Sequence, residues 1–312
     1  MKIILDRRDT SLEYETDCLI IRVKNEPPRT VPLNSLKQLI CMHNVHLTTQ
    51  LIGQLLIRGI DFIVINQRYA ENGFSIFADQ QKDAIRRSVQ YTWQQDPMTR
   101  IQWSQRLLAS KLKMNTTIIS QDSEKNASRI KVQLTDIMER MSEVSDEATL
   151  RGLEGAAQKL VFAWWRDRLP AHINFTKRTR RPPEDPLNAT LSFAYYFGHE
   201  ESVRQLKAAG LDPQLGLYHR LVNGRMALAC DIMEPIRPLI EAWVFKLFIC
   251  GDLDNRHFTK IKKNNGCYLG KEGRKRFYEH MEIPQKQWSR RLLRYARIIA
   301  SAVDDAAPSH RG

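Results

Sequence analysis

The first eighty residues alternate short apolar runs with turn-forming residues, a pattern typical of β-strands. The runs KIIL, CLIIRV, RTVPL and FSIF are separated by segments such as NEPP and ENG, which favour turns. Between them, TTQLIGQLLIRG has the spacing of a helix, and IDFIVIN is a continuous apolar run that predicts a buried strand. The pattern predicts a β-rich domain over residues 1–79.

From residue 80 onwards the apolar residues recur at helical intervals, as Val89, Trp93, Leu108 and Leu112 do. The predicted helices span 80–115, 120–142, 145–170, 187–198, 200–209, 215–249 (with one possible break) and 284–303. A short strand or turn and a basic helix are predicted in KKNNGCYLGKEGRKRFYEHM. The predicted fold class is α+β: a small β-rich N-terminal domain, a larger all-helical C-terminal domain over 80–303, and a disordered tail over 304–312.

The positive charge is concentrated in the predicted helical domain. The chain carries a net charge of +13, yet its first 80 residues contain nine basic and nine acidic residues. All of the excess therefore lies after residue 80, which favours a polyanion partner, nucleic acid first and an acidic membrane second. A basic protein without such a partner is the alternative.

The cysteines and the apolar runs indicate the compartment. The five cysteines are scattered, without a C-x-x-C pair or zinc-ligand spacing, which suits a reducing environment. The N-terminal MKIILDRRD is too short for a signal-peptide core, and AWVFKLFICG is too short to span a bilayer. We expect a cytoplasmic protein that does not associate with membranes.

Four chemically active side chains occur among apolar neighbours. Asp231 and Glu234 are three residues apart, so on a helix they share a face; His219 precedes them, and Glu154 follows Leu153 in another predicted helix. One imidazole with two or three carboxylates suits Mg²⁺ or Mn²⁺. The alternatives are a hydrogen-bonded core histidine, an ion pair of Asp231 with a nearby arginine, and a solvated Glu154.

Four motifs in order resemble the CRISPR-associated Cas1 family of spacer-acquisition integrases. They are LRGLEGAAQKLVF, RRPPEDPLNATLSFAYYF, GLDPQLGLYHRLVNGRMALACDIMEPIRP and CYLGKEGRKRFYEHM. The resemblance covers nearly the whole chain, although the β-rich part matches only in character. Cys230, where a small residue is usual, and Ile236, where Phe is common, depart from the family pattern.

The resemblance implies an activity and roles for individual residues. The activity is a metal-dependent DNA endonuclease and integrase reaction, in which the 3′-hydroxyl of spacer DNA is joined to the CRISPR repeat by transesterification. The metal, Mg²⁺ or Mn²⁺, is expected on Glu154, His219 and Asp231, with Glu234 as an auxiliary catalytic acid and Asn188 nearby. The implied partners are double-stranded DNA, a second copy of the chain and a Cas2 dimer.

Clusters of basic residues are the predicted DNA contacts, since phosphates dominate non-specific DNA affinity. Such a cluster can equally be a solvated face. Trp164 and Trp165 are candidates for base stacking, although core packing is the alternative for at least one of them. The predicted DNA-binding residues are Lys177, Arg178, Arg180 and Arg181 in one loop, Arg274 and Lys275 in a second cluster, and Arg290 and Arg294 in a third.

Two other functions compete with the integrase. One is a catalytically silent DNA-binding scaffold of the same fold, and the other is a helical nucleic-acid-binding regulator without a metal. The retained Glu, His and Asp set argues against the scaffold. The regulator would need a recognition helix or single-strand module, which the sequence does not indicate.

Overall fold

The computed structural model describes residues 1–65, 73–77, 84–121, 125–261 and 265–307. The chain divides into two compact units, Met1–Gln80 and Gln81–Gly312. The predicted domain boundary at residues 79 and 80 and the last five residues of the predicted disordered tail lie outside the described residues. Residues 304 and 305 of that tail are helical.

In the part that the structure describes, the first unit contains two four-stranded sheets and one α-helix. In the first sheet the strand order is β1-β5-β7-β8, with β1, β5 and β7 parallel and β8 antiparallel; in the second it is β4-β3-β2-β6. The elements are β1 Lys2–Leu5, β2 Thr10–Glu15, β3 Cys18–Val23, β4 Arg29–Pro32, β5 Gln38–Cys41, β6 Val45–Leu47, α1 Thr49–Ile57, β7 Asp61–Val64 and β8 Phe74–Ile76.

The core of this unit is formed by apolar side chains from its strands and from α1. Leu12, Leu19, Leu39, Leu51 and Phe62, each from a different element, are all buried in one cluster. The predicted strands and helix are present. The structure adds β2, β5 and β6, whose sequences TSLEYE, QLIC and VHL are too polar or too short to stand out.

In its described residues the second unit is helical apart from one pair of antiparallel strands, and the two units together confirm the α+β class. Its larger elements are α2 Ala84–Gln95, α3 Pro97–Ile119, α4 Lys125–Glu143, α5 Glu147–Arg166, α6 Pro186–Ala208, α7 Ala227–Met233, α8 Arg237–Ile249, β9 Phe258–Ile261, β10 Gly266–Leu269 and α9 Lys271–Asp305. The helix α6 contacts α7, α8 and α9, and α3 contacts α2, α4, α5 and α8.

Several predicted helix bounds are wrong. The predicted helix over 80–115 is two helices, α2 and α3, because the carboxylate of Asp96 caps α3. The predicted helices 187–198 and 200–209 form the single helix α6, and α9 continues through Pro284 from residue 271 to 305. The helix predicted from residue 145 begins at Glu147, because the carboxylate of Asp146 accepts the Thr149 amide and caps α5.

The predicted helix over 215–249 is the largest error, since residues 211–226 form a loop. The loop lies against the start of α7, where the Pro213 carbonyl accepts the amides of Leu228 and Ala229. Gly216 allows this close approach, because a Cβ there would lie 2.5 Å from the Cβ of Ala227.

None of the helices in the described ranges has the length and apolar character needed to cross a membrane.

Gly198 has a packing role in α6 that yields a prediction. A Cβ at this position would lie 2.8 Å from Cδ1 of the buried Ile240, whereas a Cβ at Gly152 of α5 would meet nothing within 4 Å. We expect Gly198→Leu to lower the free energy of unfolding by about 1–3 kcal/mol through overpacking. The matched variant Gly152→Leu should hold or raise it, by up to about 1 kcal/mol. Urea unfolding followed by circular dichroism measures both, and equal effects would contradict the assigned role.

Candidate functional site

Asp231 on α7 is fully buried, and its carboxylate organises the loop before the helix. One oxygen, Oδ2, accepts the amides of Leu217 at 2.6 Å and Tyr218 at 3.1 Å. The other, Oδ1, accepts the amide of His219 at 2.9 Å and lies 2.7 Å from His219 Nδ1. Four hydrogen bonds to one carboxylate compensate for its loss of water, and they fix both the loop and the imidazole.

The Asp231 contact also selects the tautomer of His219. A carboxylate only accepts hydrogen bonds, so the Nδ1 of His219 carries the proton that faces Asp231. In the neutral form of the ring the lone pair is then on Nε2, which lies 3.8 Å from Glu234 Oε1. Histidines that bind a metal ion are oriented in this way by a carboxylate on the other ring nitrogen.

Glu234 follows α7 directly and is buried between two cations. Its Oε2 accepts a hydrogen bond from Lys111 Nζ at 2.9 Å, and its Oε1 lies 3.1 Å from Arg237 Nη1. Burial raises the pKa of Glu234, but Arg237, Lys111 and His219 outweigh it and lower the value to about 2. The group is therefore a carboxylate at neutral pH.

Lys111, on α3, joins Glu234 to Glu154. Its Nζ lies 2.5 Å from Glu154 Oε1, and its side chain is 1% exposed, against 20% for Glu154. Burial lowers the pKa of Lys111, yet the charges of Glu234 and Glu154 more than compensate, and the pKa lies above its ordinary value. The ammonium thus stays charged and holds carboxylates from two separate elements together.

A third buried carboxylate is that of Glu241 on α8. It accepts hydrogen bonds from the Tyr195 hydroxyl at 2.5 Å and from the Gln158 amide at 3.2 Å. Burial raises the pKa of Glu241 above its ordinary value, and burial likewise raises the pKa of Tyr195. The pair forms a hydrogen-bonded polar wall for the site.

These groups border one cavity of about 690 Å³. Glu154, His219 and Glu234 all line it, whereas Asp231 lies beneath the loop and is not part of the lining. The remaining lining is strongly basic, and eight of its residues carry a guanidinium or ammonium group. They are Arg151, Lys159, Arg166, Lys177, Arg178, Arg180, Arg225 and Arg237.

The cavity brings together a different acid set from the one predicted. Of the predicted site residues, Glu154, His219 and Glu234 line the cavity, together with Glu241. Asp231 does not line it, and its oxygens accept four hydrogen bonds. Within the described ranges, no three His, Cys, Asp or Glu side chains form a cluster that could hold a metal ion. Lys111 contacts both Glu154 and Glu234.

The predicted basic loop is only partly exposed. Lys177 and Arg180 are exposed and line the cavity, and Arg181 is exposed without lining it. Arg178 is not exposed as predicted: its guanidinium donates to Asn188 Oδ1 and Ser192 Oγ, each at 2.9 Å.

Asn188 holds this loop on α6. It is fully buried, and its amide nitrogen donates to the Lys177 carbonyl at 2.8 Å, while its side-chain oxygen accepts the Thr179 amide at 3.1 Å. The predicted nearness of Asn188 to the site is thus indirect. The asparagine fixes the backbone that presents Lys177 and Arg180 to the cavity.

The other predicted nucleic-acid contacts lie outside the cavity lining. Arg290 and Arg294 are exposed one turn apart on α9, and Lys275 is exposed near Glu279, 4.0 Å away. Arg274 is half-buried and donates to the Leu269 carbonyl.

The two tryptophans considered for base stacking belong to the core. Trp164 is 4% and Trp165 8% exposed. Trp165 stacks on Phe245 with ring centroids 4.5 Å apart, and Trp164 contacts Trp165 edge-on. Both rings are therefore packing residues in this structure.

The chain belongs to the Cas1 family. The family model for CRISPR associated protein Cas1 matches residues 3–283. A relative named CRISPR-associated endonuclease Cas1 1, from Thermodesulfovibrio yellowstonii, is 29% identical over 318 residues, covering 97% of this chain and 98% of the relative.

Solved structures share the fold at low sequence identity. A casposase bound to its integration product matches with a TM-score of 0.85 at 17% identity, over 97% of this chain and 90% of that one. A Cas6-RT-Cas1–Cas2 complex matches with a TM-score of 0.83 at 21% identity, over 99% of this chain and 35% of that one. The two-unit architecture is thus that of Cas1.

The charge state of Glu234 yields a prediction about acid stability. The pKa of Glu234 is about 2 in the folded protein, against an ordinary value of 4.5 that applies to the unfolded chain. The stability that the ionised Glu234 contributes to the fold is therefore complete above pH 4.5 and is lost as the pH falls through 2. We expect the loss of unfolding free energy between pH 5 and pH 3 to be smaller in Glu234→Gln than in wild type, by roughly 2 kcal/mol. Urea unfolding at each pH measures it.

The control for this prediction is Glu139→Gln, which removes an exposed glutamate of the same unit. Its pH dependence should follow that of the wild type. An equal loss of stability in Glu234→Gln and wild type would show that Glu234 is not held as a buried ion.

Proposed function

We propose that this protein is a divalent-metal-dependent DNA integrase and endonuclease of CRISPR adaptation. It joins the 3′-hydroxyl of a spacer fragment to the CRISPR repeat by phosphodiester exchange. The observation that carries the proposal is one cavity lined by Glu154, His219 and Glu234 together with eight basic residues. Membership of the Cas1 family and the likeness to a casposase with its integration product support it.

We propose Glu154, His219 and Glu234 as the metal ligands, with Asp231 as the residue that positions His219. The donor set fits Mg²⁺ or Mn²⁺, because carboxylate oxygens suit both ions and a neutral imidazole favours Mn²⁺. His219 Nε2 is the nitrogen left for a ligand, since Nδ1 faces Asp231 at 2.7 Å. When bound, the ion would polarise the scissile phosphate and activate the attacking hydroxyl.

The protein residues supply alignment and charge for the exchange. One phosphodiester replaces another, so the reaction needs no external energy source, and the barrier is lowered by holding the reacting groups in line. The basic cavity residues would hold the phosphates on either side of the reacting one and stabilise the charge that develops on it. The DNA hydroxyl is the nucleophile, so no Ser or Tyr is required. Water in its place gives the nuclease reaction.

The proposed partners are double-stranded DNA, a second copy of the chain and a Cas2 dimer. Arg290 and Arg294 on α9, with Arg274 and Lys275 near its start, are proposed as further phosphate contacts outside the cavity. The structural match to a Cas6-RT-Cas1–Cas2 complex is consistent with the Cas2 partner. A catalytically silent DNA-binding scaffold is the alternative function. Its difficulty is the set of buried acids, which a scaffold would have no reason to keep.

The ligand assignment predicts different defects for two neighbouring acids. Glu234→Gln should abolish Mn²⁺ binding and Mn²⁺-dependent joining of labelled oligonucleotides, because it removes a ligand. Asp231→Asn should retain Mn²⁺ binding about 10–100-fold weakened, because it loosens only the orientation of His219. Titration followed by electron paramagnetic resonance measures binding.

Glu154→Gln and His219→Ala should abolish joining as Glu234→Gln does, and all three should bind duplex DNA at the wild-type level. Loss of Mn²⁺ binding in a folded Asp231→Asn protein, with binding kept in Glu234→Gln, would instead assign the ligand role to Asp231. Normal joining by His219→Ala would contradict the proposed site altogether.

The exposed basic residues that line the cavity, here called the basic rim, predict a change in the salt dependence of DNA binding. Lys177→Glu with Arg180→Glu should weaken duplex binding and reduce the slope of log affinity against log salt by about 0.9 for each phosphate that the protein no longer neutralises. A matched double reversal, Lys113→Glu with Arg129→Glu, changes exposed residues that do not line the cavity. Fluorescence anisotropy over a range of salt concentrations distinguishes them, and identical slopes would exclude the rim as a phosphate-binding surface.

A further inference from the structure

Lys111 is a fully buried lysine whose ammonium lies between two proposed metal ligands. Its Nζ is 2.5 Å from Glu154 Oε1 and 2.9 Å from Glu234 Oε2, and its side chain is 1% exposed. The helix α3 that carries it lies on one side of the site, whereas Glu154 comes from α5 and Glu234 from the turn after α7. The ammonium thus pairs with both of the acids that are proposed to bind the divalent ion.

We propose that Lys111 is a resident counter-ion of the metal site. It holds Glu154 and Glu234 together in the absence of a divalent ion and releases both carboxylates when the ion binds, which lowers the affinity of the site for the ion. This inference rests on the proposed function, since it takes Glu154 and Glu234 as ligands.

The charges around Glu234 explain why the ion and Lys111 compete. Oε2 of Glu234 faces Lys111, and Oε1 faces Arg237 Nη1 at 3.1 Å. Each oxygen of this carboxylate therefore already has a positive partner. A divalent ion that approaches either oxygen is repelled by the neighbouring cation, and in a buried site this repulsion is weakly screened.

Of the two cations, Lys111 is the one able to move. Arg237 is fixed by its contact with Glu234 and by the face of the Tyr195 ring, which lies 5.2 Å from its guanidinium carbon. A guanidinium is planar and rigid, whereas a lysine has a flexible four-carbon chain that carries a compact charge. Withdrawal of the ammonium frees one oxygen on each of Glu154 and Glu234.

The competing explanation is an ion pair that serves stability alone. It predicts that removal of the ammonium destabilises the fold and leaves Mn²⁺ affinity unchanged or weaker. Without the ammonium, the two carboxylates repel each other and move apart. The counter-ion role predicts the opposite change in affinity. The direction of the change in Mn²⁺ affinity therefore separates the two.

The test uses Lys111→Met in the full-length protein without DNA. Methionine keeps much of the length and apolar character of the side chain and removes the charge. We expect Mn²⁺, titrated and detected by electron paramagnetic resonance, to bind at least about tenfold more tightly than to wild type. The control Lys113→Met removes an exposed lysine of the same helix and should bind Mn²⁺ as wild type does. Circular dichroism in EDTA checks that each variant is folded.

If Lys111→Met does not fold, a second measurement on the wild-type protein tests the counter-ion role. In wild-type protein labelled with ¹⁵N-lysine, the buried ammonium of Lys111 should give a slowly exchanging NMR signal. Saturating Mg²⁺ should shift or remove that signal, because the ammonium then separates from Glu154 and Glu234. Assignment uses the spectrum of a Lys111→Arg variant.

Unchanged or weaker Mn²⁺ affinity in folded Lys111→Met overturns the counter-ion role, and so does an unaltered ammonium signal at saturating Mg²⁺. Both results leave the proposed function intact if wild type binds Mn²⁺ and Glu234→Gln does not. Mn²⁺ binding that is equal in wild type and Glu234→Gln contradicts the proposed metal site itself.

Discussion

Buried negative charge is the constraint that shapes this molecule. Asp231, Glu234 and Glu241 lie within eleven positions of one another, and each is at most 2% exposed. A buried carboxylate must be hydrogen-bonded or paired, and each of the three is satisfied differently. Backbone amides and an imidazole serve Asp231, cations serve Glu234, and a phenol and an amide serve Glu241.

Because the three carboxylates are compensated by different partners, they have three different roles. Asp231 has a structural role, because its four hydrogen bonds occupy both carboxylate oxygens, attach residues 217–219 to α7 and orient His219. Glu234 lines the cavity and is held ionised by Lys111 and Arg237, which suits a metal ligand. Glu241 lines the same cavity and is held by Tyr195 and Gln158. The proposed chemistry thus follows from how each charge is compensated, and only secondarily from which acid the motif contains.

The sequence predicted the architecture well and the site partly. The apolar runs identified β1, β3, β4, β7 and β8, since burial of an apolar strand leaves a direct trace in composition. The loop over 211–226 was missed, because it is held by Asp231 and Pro213 through contacts that no local pattern records. The motif implied Asp231 as the third metal ligand and Glu234 as an auxiliary acid, whereas the proposed function exchanges these two roles. The hydrogen bonds that occupy the Asp231 oxygens come from residues 12 to 14 positions away, and no local pattern records them.

Lys111 was not found from the sequence for a similar reason. It lies on the apolar face of α3 between Leu108 and Leu112, and its partners are 43 and 123 residues away. A charged residue in an apolar stripe was the available signal, since such a residue needs a buried partner.

The most direct test of the account is a crystal structure of the protein soaked in Mn²⁺, with the ion located by anomalous scattering. We predict an ion bound to Glu154, His219 Nε2 and Glu234, with Asp231 still hydrogen-bonded to the amides of 217–219. An ion bound to Asp231, with those hydrogen bonds broken, would contradict it.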